Sequence, residues 1–255
     1  SVDTFHQVVD IVGSGDTRGM VEFKEQALND LIVCYAEIED GWKDARKYYI
    51  DEIGEKPAYE KLLKLANLYV GQDKDDEAID LYTHFIEYDA KDKRIPEFYD
   101  NILAVLSKAN DFPRTEARQR EMIKFFDTRN TWYEANVSNK EEVKAAMNLK
   151  ETNLLLLANH YHKQAEKTNA KDAYLQASKD YAYFLELFPD SKHAYFVNAY
   201  YADILYDPLE NYGGAIEQYS AVIKRDKKGE YVEDAALGII YCYEALMAQK
   251  GLKDG

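Results

Sequence analysis

His160 and His162 are the first residues whose types invite a chemical reading, because neutral imidazole is a common metal ligand. Helical metal pairs stand four apart on one face, whereas residues two apart point to different sides. A metal pair is therefore set aside, and a place in solvent or at the edge of the core is expected. Asp73, Asp75, Asp76 and Glu77 suggest a calcium loop, yet the Gly at its sixth position and the Glu at its twelfth are missing. The same acids suit a turn and the first residues of a helix, where carboxylates meet the positive end of the dipole. Gly13-Ser14-Gly15-Asp16-Thr17-Arg18-Gly19 is glycine-rich, but no Gly-Lys-Ser/Thr follows, so it reads as a loop and not as a phosphate cradle. Asn136-Val137-Ser138 matches a glycosylation sequon, which chance explains. No Ser-His-Asp or Cys-His arrangement emerges, and with 47 Asp and Glu any acid–base pair could be drawn. The chain is accordingly read as non-enzymatic, with no catalytic residue, no metal and no cofactor.

The bulk properties narrow the partners. A formal charge of −15 over 255 residues opposes a phosphate backbone, so nucleic acid is not expected. No run of 18 or more apolar residues exists that could span a membrane. The 22 tyrosines fit contacts that want a large ring with a polar tip.

The elements that carry these residues are marked by a recurring spacing. Ala45, Tyr49 and Pro57, and again Ala177, Tyr181 and Pro189, place an aromatic four residues after Ala and a Pro eight residues later. Ala78 with Tyr82 and Ala215 with Tyr219 repeat the first half. Upstream of each lies a small or apolar residue followed three positions later by Tyr or Leu: Ile32/Tyr35, Ala66/Tyr69, Ala158/Tyr161, Ala202/Leu205 and Gly238/Tyr241. Two short helices approach closely where a small residue sits at their crossing, and an aromatic one turn on fills the space beside it. Pro then stops the second helix. All five prolines fall at such boundaries, which supports a chain helical throughout.

These marks resemble the tetratricopeptide repeat, in which helix A carries the small residue and Tyr, and helix B the Ala, aromatic and terminal Pro. Aligned on them, repeats begin near Glu25, Tyr59, Pro96, Glu151, Tyr195 and Tyr231. Three of the intervals lie close to the family period of ~34; the two spanning Pro96 to Tyr195 are longer and imply insertions. The resemblance implies an all-α, right-handed solenoid of about five and a half stacked hairpins. Residues 1–20 then hold the end of a preceding helix and a Gly-rich loop, and 21–126 the N-terminal repeats. Residues 127–150 form an irregular insertion leading into a long helix from Lys140, and 151–255 the C-terminal repeats. Cys34 and Cys242 fall in the first and last repeats, so an internal disulfide is not expected.

Residues 174–247 are more specific. Phe188-Pro189-Asp190-Ser191, followed by Ala199-Tyr200-Tyr201-Ala202, resembles bacterial cell-envelope tetratricopeptide proteins of the BamD-like outer-membrane assembly and Tol-system coordinator kinds. Asp226-Lys227-Lys228-Gly229 stands where that pattern has its next Pro. The chain opens at Ser1 without Met and ends Lys253-Asp254-Gly255 just after a helix A, which reads as a piece of a longer product, so a missing leader carries no weight.

What the family implies for function is binding, because stacked repeats make an extended concave face lined by helix A. Its inward positions, carried onto this sequence, give Leu63, Asn67 and Val70, then Leu155, Asn159 and His162, then Phe196, Ala199, Asp203 and Tyr206. Of these, Asn67, Asn159, His162, Phe196, Asp203 and Tyr206 form the expected peptide-binding set, since amides pair with a backbone in both directions. Leu63 and Leu155 stand where some family members carry the Lys of a carboxylate clamp, which disfavours that ligand. The expected partner is a protein or peptide, basic or neutral, and the expected role a scaffold in a periplasmic or outer-membrane-associated assembly. The alternatives are a cytoplasmic adaptor and the helical-repeat domain of a larger enzyme.

Overall fold

The computed structural model describes residues 2–13 and 18–251, and among them every regular element is an α-helix. In chain order these are α1 (Val2–Gly13), α2 (Arg18–Ala36), α3 (Gly41–Ile53), α4 (Glu55–Gly71), α5 (Asp75–Tyr88), α6 (Ile95–Lys108) and α7 (Phe112–Phe125). They continue with α8 (Thr131–Asn136), α9 (Lys140–Thr168), α10 (Lys171–Leu187), α11 (Ala194–Tyr206), α12 (Tyr212–Arg225) and α13 (Val232–Gly251). Of the expected glycine-rich loop, Arg18 and Gly19 instead open α2, Gly13 closes α1, and residues 14–17 lie outside the described residues, as does the C-terminal Lys253-Asp254-Gly255. Pro57, Pro96 and Pro113 sit in the first turns of α4, α6 and α7, where the missing N–H leaves no helical bond unmade.

Each helix forms around one apolar stripe. In α5, Asp75, Asp76 and Glu77 occupy the first turn, and Ala78, Leu81, Tyr82, Phe85 and Ile86 follow at helical steps, all buried. The small residues of the repeat do what their size allows. Ala45, Ala66, Ala78, Ala158, Ala177, Ala202 and Ala215 are all fully buried. At Gly238 a β-carbon would meet the Tyr219 ring at 2.5 Å, so only glycine lets α12 lie this close to α13. Tyr35, Tyr49, Tyr69, Tyr82 and Tyr181 are buried with them, whereas Tyr161 is half-buried and Tyr241 is 47% exposed.

The chain divides into two compact units, Ser1–Arg118 with Asp127–Val143, and Gln119–Phe126 with Lys144–Gly255. In the first, α1 packs on α2, α2 on α3, α3 on α4, α4 on α5 and α5 on α6, and α2 also packs on α4. In the second, α10 to α13 do the same, with α11 also packed on α13. Within residues 127–150, the stretch read as irregular holds the short helix α8, and the long helix expected from Lys140 is α9. The Trp132 indole is fully buried, its Nε1–H donating to the Asp92 carbonyl at 2.8 Å, and Asn136 Nδ2 donates to the Lys91 carbonyl at 2.9 Å. Cys34 and Cys242 are both free thiols.

Among the described residues, five non-glycine residues take the left-handed conformation: Asp40, Asp73, Asn110, Asn169 and Glu210, with φ between 52° and 56°. They fall in the turns that join α2 to α3, α4 to α5, α6 to α7, α9 to α10 and α11 to α12. Asp and Asn tolerate this conformation because a short polar side chain can bond locally, whereas Glu lacks that relief. Glu210→Gly is therefore expected to stabilise the chain by about 1 kcal/mol, raising the melting temperature by roughly 2–4 °C. A thermal scan showing no rise would mean that the Glu210 side chain offsets its own strain.

Candidate binding site

Three of the expected site residues share one structural role. Asn67 Oδ1 accepts from the Tyr82 hydroxyl at 2.6 Å, Asn159 Oδ1 from Tyr181 at 2.8 Å, and Asp203 Oδ1 from Tyr219 at 2.7 Å. In each case helix A supplies the acceptor one residue after its small residue, and helix B supplies the Tyr of its Ala–Tyr mark. In the first hairpin Val33 holds the equivalent place, and Tyr49 donates instead to the Leu28 carbonyl at 2.9 Å. The oxygens of Asn67 and Asn159 are thus each engaged once inside their hairpins, and their Nδ2 groups are the donors to offer a ligand.

In the second unit, Asn159, His162, Lys163 and Glu166 of α9, Tyr181 of α10, and Tyr200 and Asp203 of α11 line a cleft of about 370 Å³. It brings together Asn159, His162 and Asp203 of the expected set. Phe196 stands beside it, its ring 5.7 Å from that of Tyr200. Tyr206 packs instead on Tyr212, at 5.9 Å, against the core formed by Ala202, Leu205, Ala215 and Cys242. Asn67 belongs to the first unit.

His162 is the centre of the cleft. Its ring meets those of Tyr174, Tyr181 and Tyr200 edge-on, at 6.4, 5.8 and 6.0 Å. Nδ1 lies 3.1 Å from the Tyr181 hydroxyl, whose proton goes to Asn159, so Nδ1–H is the donor of that contact. Its other nitrogen, Nε2, lies 3.8 Å from Glu166 Oε1. Burial holds His162 below the ordinary imidazole range, against the opposing pull of Glu166 and Asp203. Burial likewise lifts the Asp203 carboxyl above the usual carboxylate range, opposed by the Tyr219 hydroxyl and His162 and reinforced by Asp234.

A pH dependence follows. His84 is also held low, by burial and by Arg46, against Glu87. Both histidines have folded pKa values below the unfolded value of about 6.5, so between those values the unfolded chain binds more protons. Their contribution is complete above about pH 6.5 and is lost as the pH falls through that value toward the folded ones. Urea midpoints are expected to fall on acidification through this window, and His84→Gln with His162→Gln to flatten the slope there.

A second cleft, of about 650 Å³ and not legible in the sequence, lies in the first unit between the start of α4 and the α5–α6 turn. Its charged centre is internally answered. Arg94 reaches Asp92 at 2.9 Å and Glu60 at 2.9 Å and lies 4.5 Å over the Tyr59 ring, whose hydroxyl donates to Asp92 at 3.1 Å. Among the described residues, no group of three or more His, Cys, Asp or Glu is placed to hold a metal ion.

No family model matches the chain, and no curated protein matches it. Among solved structures, a chain described as "DHF58 filament" is 12% identical, with 99% of this chain and 94% of that chain covered and a TM-score of 0.21. One described as "Computational Design of Self-Assembling Cyclic Protein Homooligomers" is 14% identical over 99% and 93%, with a TM-score of 0.20. Likenesses of this size carry no argument about fold or function.

Proposed function

We propose that the chain is a right-handed α-solenoid of tetratricopeptide type that works as a non-enzymatic scaffold, holding an extended protein segment along its helix-A faces. The observation that carries this reading is the recurrence of one hairpin plan: buried small residue, left-handed turn residue, and a helix-B tyrosine bonded to the helix-A acceptor. Helices paired on that plan bury one another and leave helix-A polar groups at the surface, which is what a peptide-binding face requires. The cell-envelope setting rests on the likeness of residues 174–247 alone; among the described residues no helix is long and apolar enough to cross a membrane.

A photo-cross-linking side chain at Lys163, on the cleft, tests the reading against one at Lys179, an exposed position of α10 outside it. The expected result is a discrete protein adduct from position 163 in extracts of the source cells, with the cross-linked peptide extended. Adducts from position 179 alone would overturn this placement of the binding face.

A further inference from the structure

Asp203 carries a charge that its structural bond does not need. In the two sister hairpins a neutral amide, Asn67 or Asn159, accepts the same tyrosine proton at 2.6 and 2.8 Å. The charge is also not consumed by an internal ion pair. Its neighbours across the cleft are the neutral His162 ring and the Tyr181 and Tyr200 rings, and the cleft adds a second carboxylate, Glu166, against one lysine, Lys163. Two carboxylates among aromatic rings in one cleft are suited to an aliphatic stem that ends in a cation.

We propose that this cleft takes one cationic side chain, lysine or arginine, from the extended segment, with the exposed carboxylates of Asp203 and Glu166 answering its charge and the half-buried ring of Tyr200 flanking its stem. The inference rests on the scaffold reading and names what that scaffold selects. His162 ties it to pH. The groups facing the ring are Glu166 and Lys163 from α9, Tyr174 and Tyr181 from α10, and Tyr200 and Asp203 from α11. A proton on His162 would claim the same carboxylates as the bound cation, so proton and ligand compete.

The test titrates the full chain, isotope-labelled for NMR, with acetyl-(Ala)3-Lys-(Ala)3-amide and with the same peptide carrying norleucine for lysine. The lysine peptide is expected to shift α9 and α11 signals saturably and to bind at least about tenfold more tightly than the norleucine one. Asp203→Asn keeps an acceptor for Tyr219, as the sister hairpins do, and is expected to erase most of that preference. If this variant fails to fold, Glu166→Gln at an exposed carboxylate carries the same expectation. Acidification to about pH 5.5 is expected to weaken the lysine peptide in the wild type and to do so less in His162→Gln. Equal binding of the two peptides at the cleft would overturn the cation inference and leave the groove reading standing. A lysine preference unchanged in both Asp203→Asn and Glu166→Gln would also overturn it, as would no saturable shift at all; the cross-linking comparison would then judge the scaffold separately.

Discussion

Trp132→Ala is expected to destabilise the first unit by about 4 kcal/mol, within the range of large aromatic truncations in cores. The indole is fully buried, and its N–H caps the Asp92 carbonyl, in the same turn whose Asp92 side chain holds Arg94 and Tyr59. Truncation therefore leaves a cavity and removes the shorter of two bonds to that carbonyl, which keeps the Ile95 N–H at 3.3 Å. Trp132→Phe separates the two, since it keeps most of the volume and loses the bond; a loss of about 1–2 kcal/mol is expected. The only other tryptophan, Trp42, lies in the same unit, so its fluorescence follows the urea transition of either variant. A midpoint unmoved by Trp132→Ala would show that α8 is dispensable to the fold of that unit.

In the second unit the largest single loss is expected from Arg120→Ala. Arg120 holds Asp180 with two parallel bonds of 3.0 Å, and the aspartate side chain is only 5% exposed. Removing the guanidinium strands a buried carboxylate, with Gln176 Nε2 at 3.2 Å as its remaining donor. Breaking such a pair costs about 3–5 kcal/mol, and the lower end is expected here because Arg120 is 37% exposed and water can reach the gap. The double variant Arg120→Met with Asp180→Leu is expected to recover most of that loss, since an apolar pair of similar size needs no desolvation. Guanidinium-chloride unfolding of the three proteins decides it. A double variant as unstable as the single one would mean that packing around Arg120, and not its charge, holds this place.

The helical hairpins were legible because their constraint is local. A small residue at a crossing and a ring one turn later are needed wherever two helices meet closely, so Ala66/Tyr69 and Ala177/Tyr181 could be read without knowing what they touch. Tyr241 bears the same mark yet is exposed, since that position is covered by a following helix and none follows α13 among the described residues. The binding row was legible only as positions. That Asn67, Asn159 and Asp203 each receive a tyrosine proton depends on the register between two helices, which the turn sets and which the row itself does not encode. The turn residues themselves left a signal that the proline marks overshadowed: Asp40, Asp73, Asn110 and Asn169 are of the types that tolerate left-handed backbone, one to each joint. Trp132 was unreadable for another reason. Its partner is forty residues upstream in a turn, outside any period.

The tyrosine hydroxyls that join helix A to helix B also give the fold an alkaline limit. Burial, with Glu97 adding, pushes Tyr82 up to about 12, and burial holds Tyr181 and Tyr219 well above the usual phenol range, Tyr219 with Asp203 adding to the rise. Exposed in an unfolded chain, the same phenols ionise near pH 10. The stability they contribute is thus complete below about pH 10 and drains away as the pH climbs past it, because the unfolded chain releases those protons first. Phenolate formation, followed by ultraviolet absorbance, would arrive in the same step as the loss of helix, so that base acts on this protein as a denaturant directed at the joints between its helices.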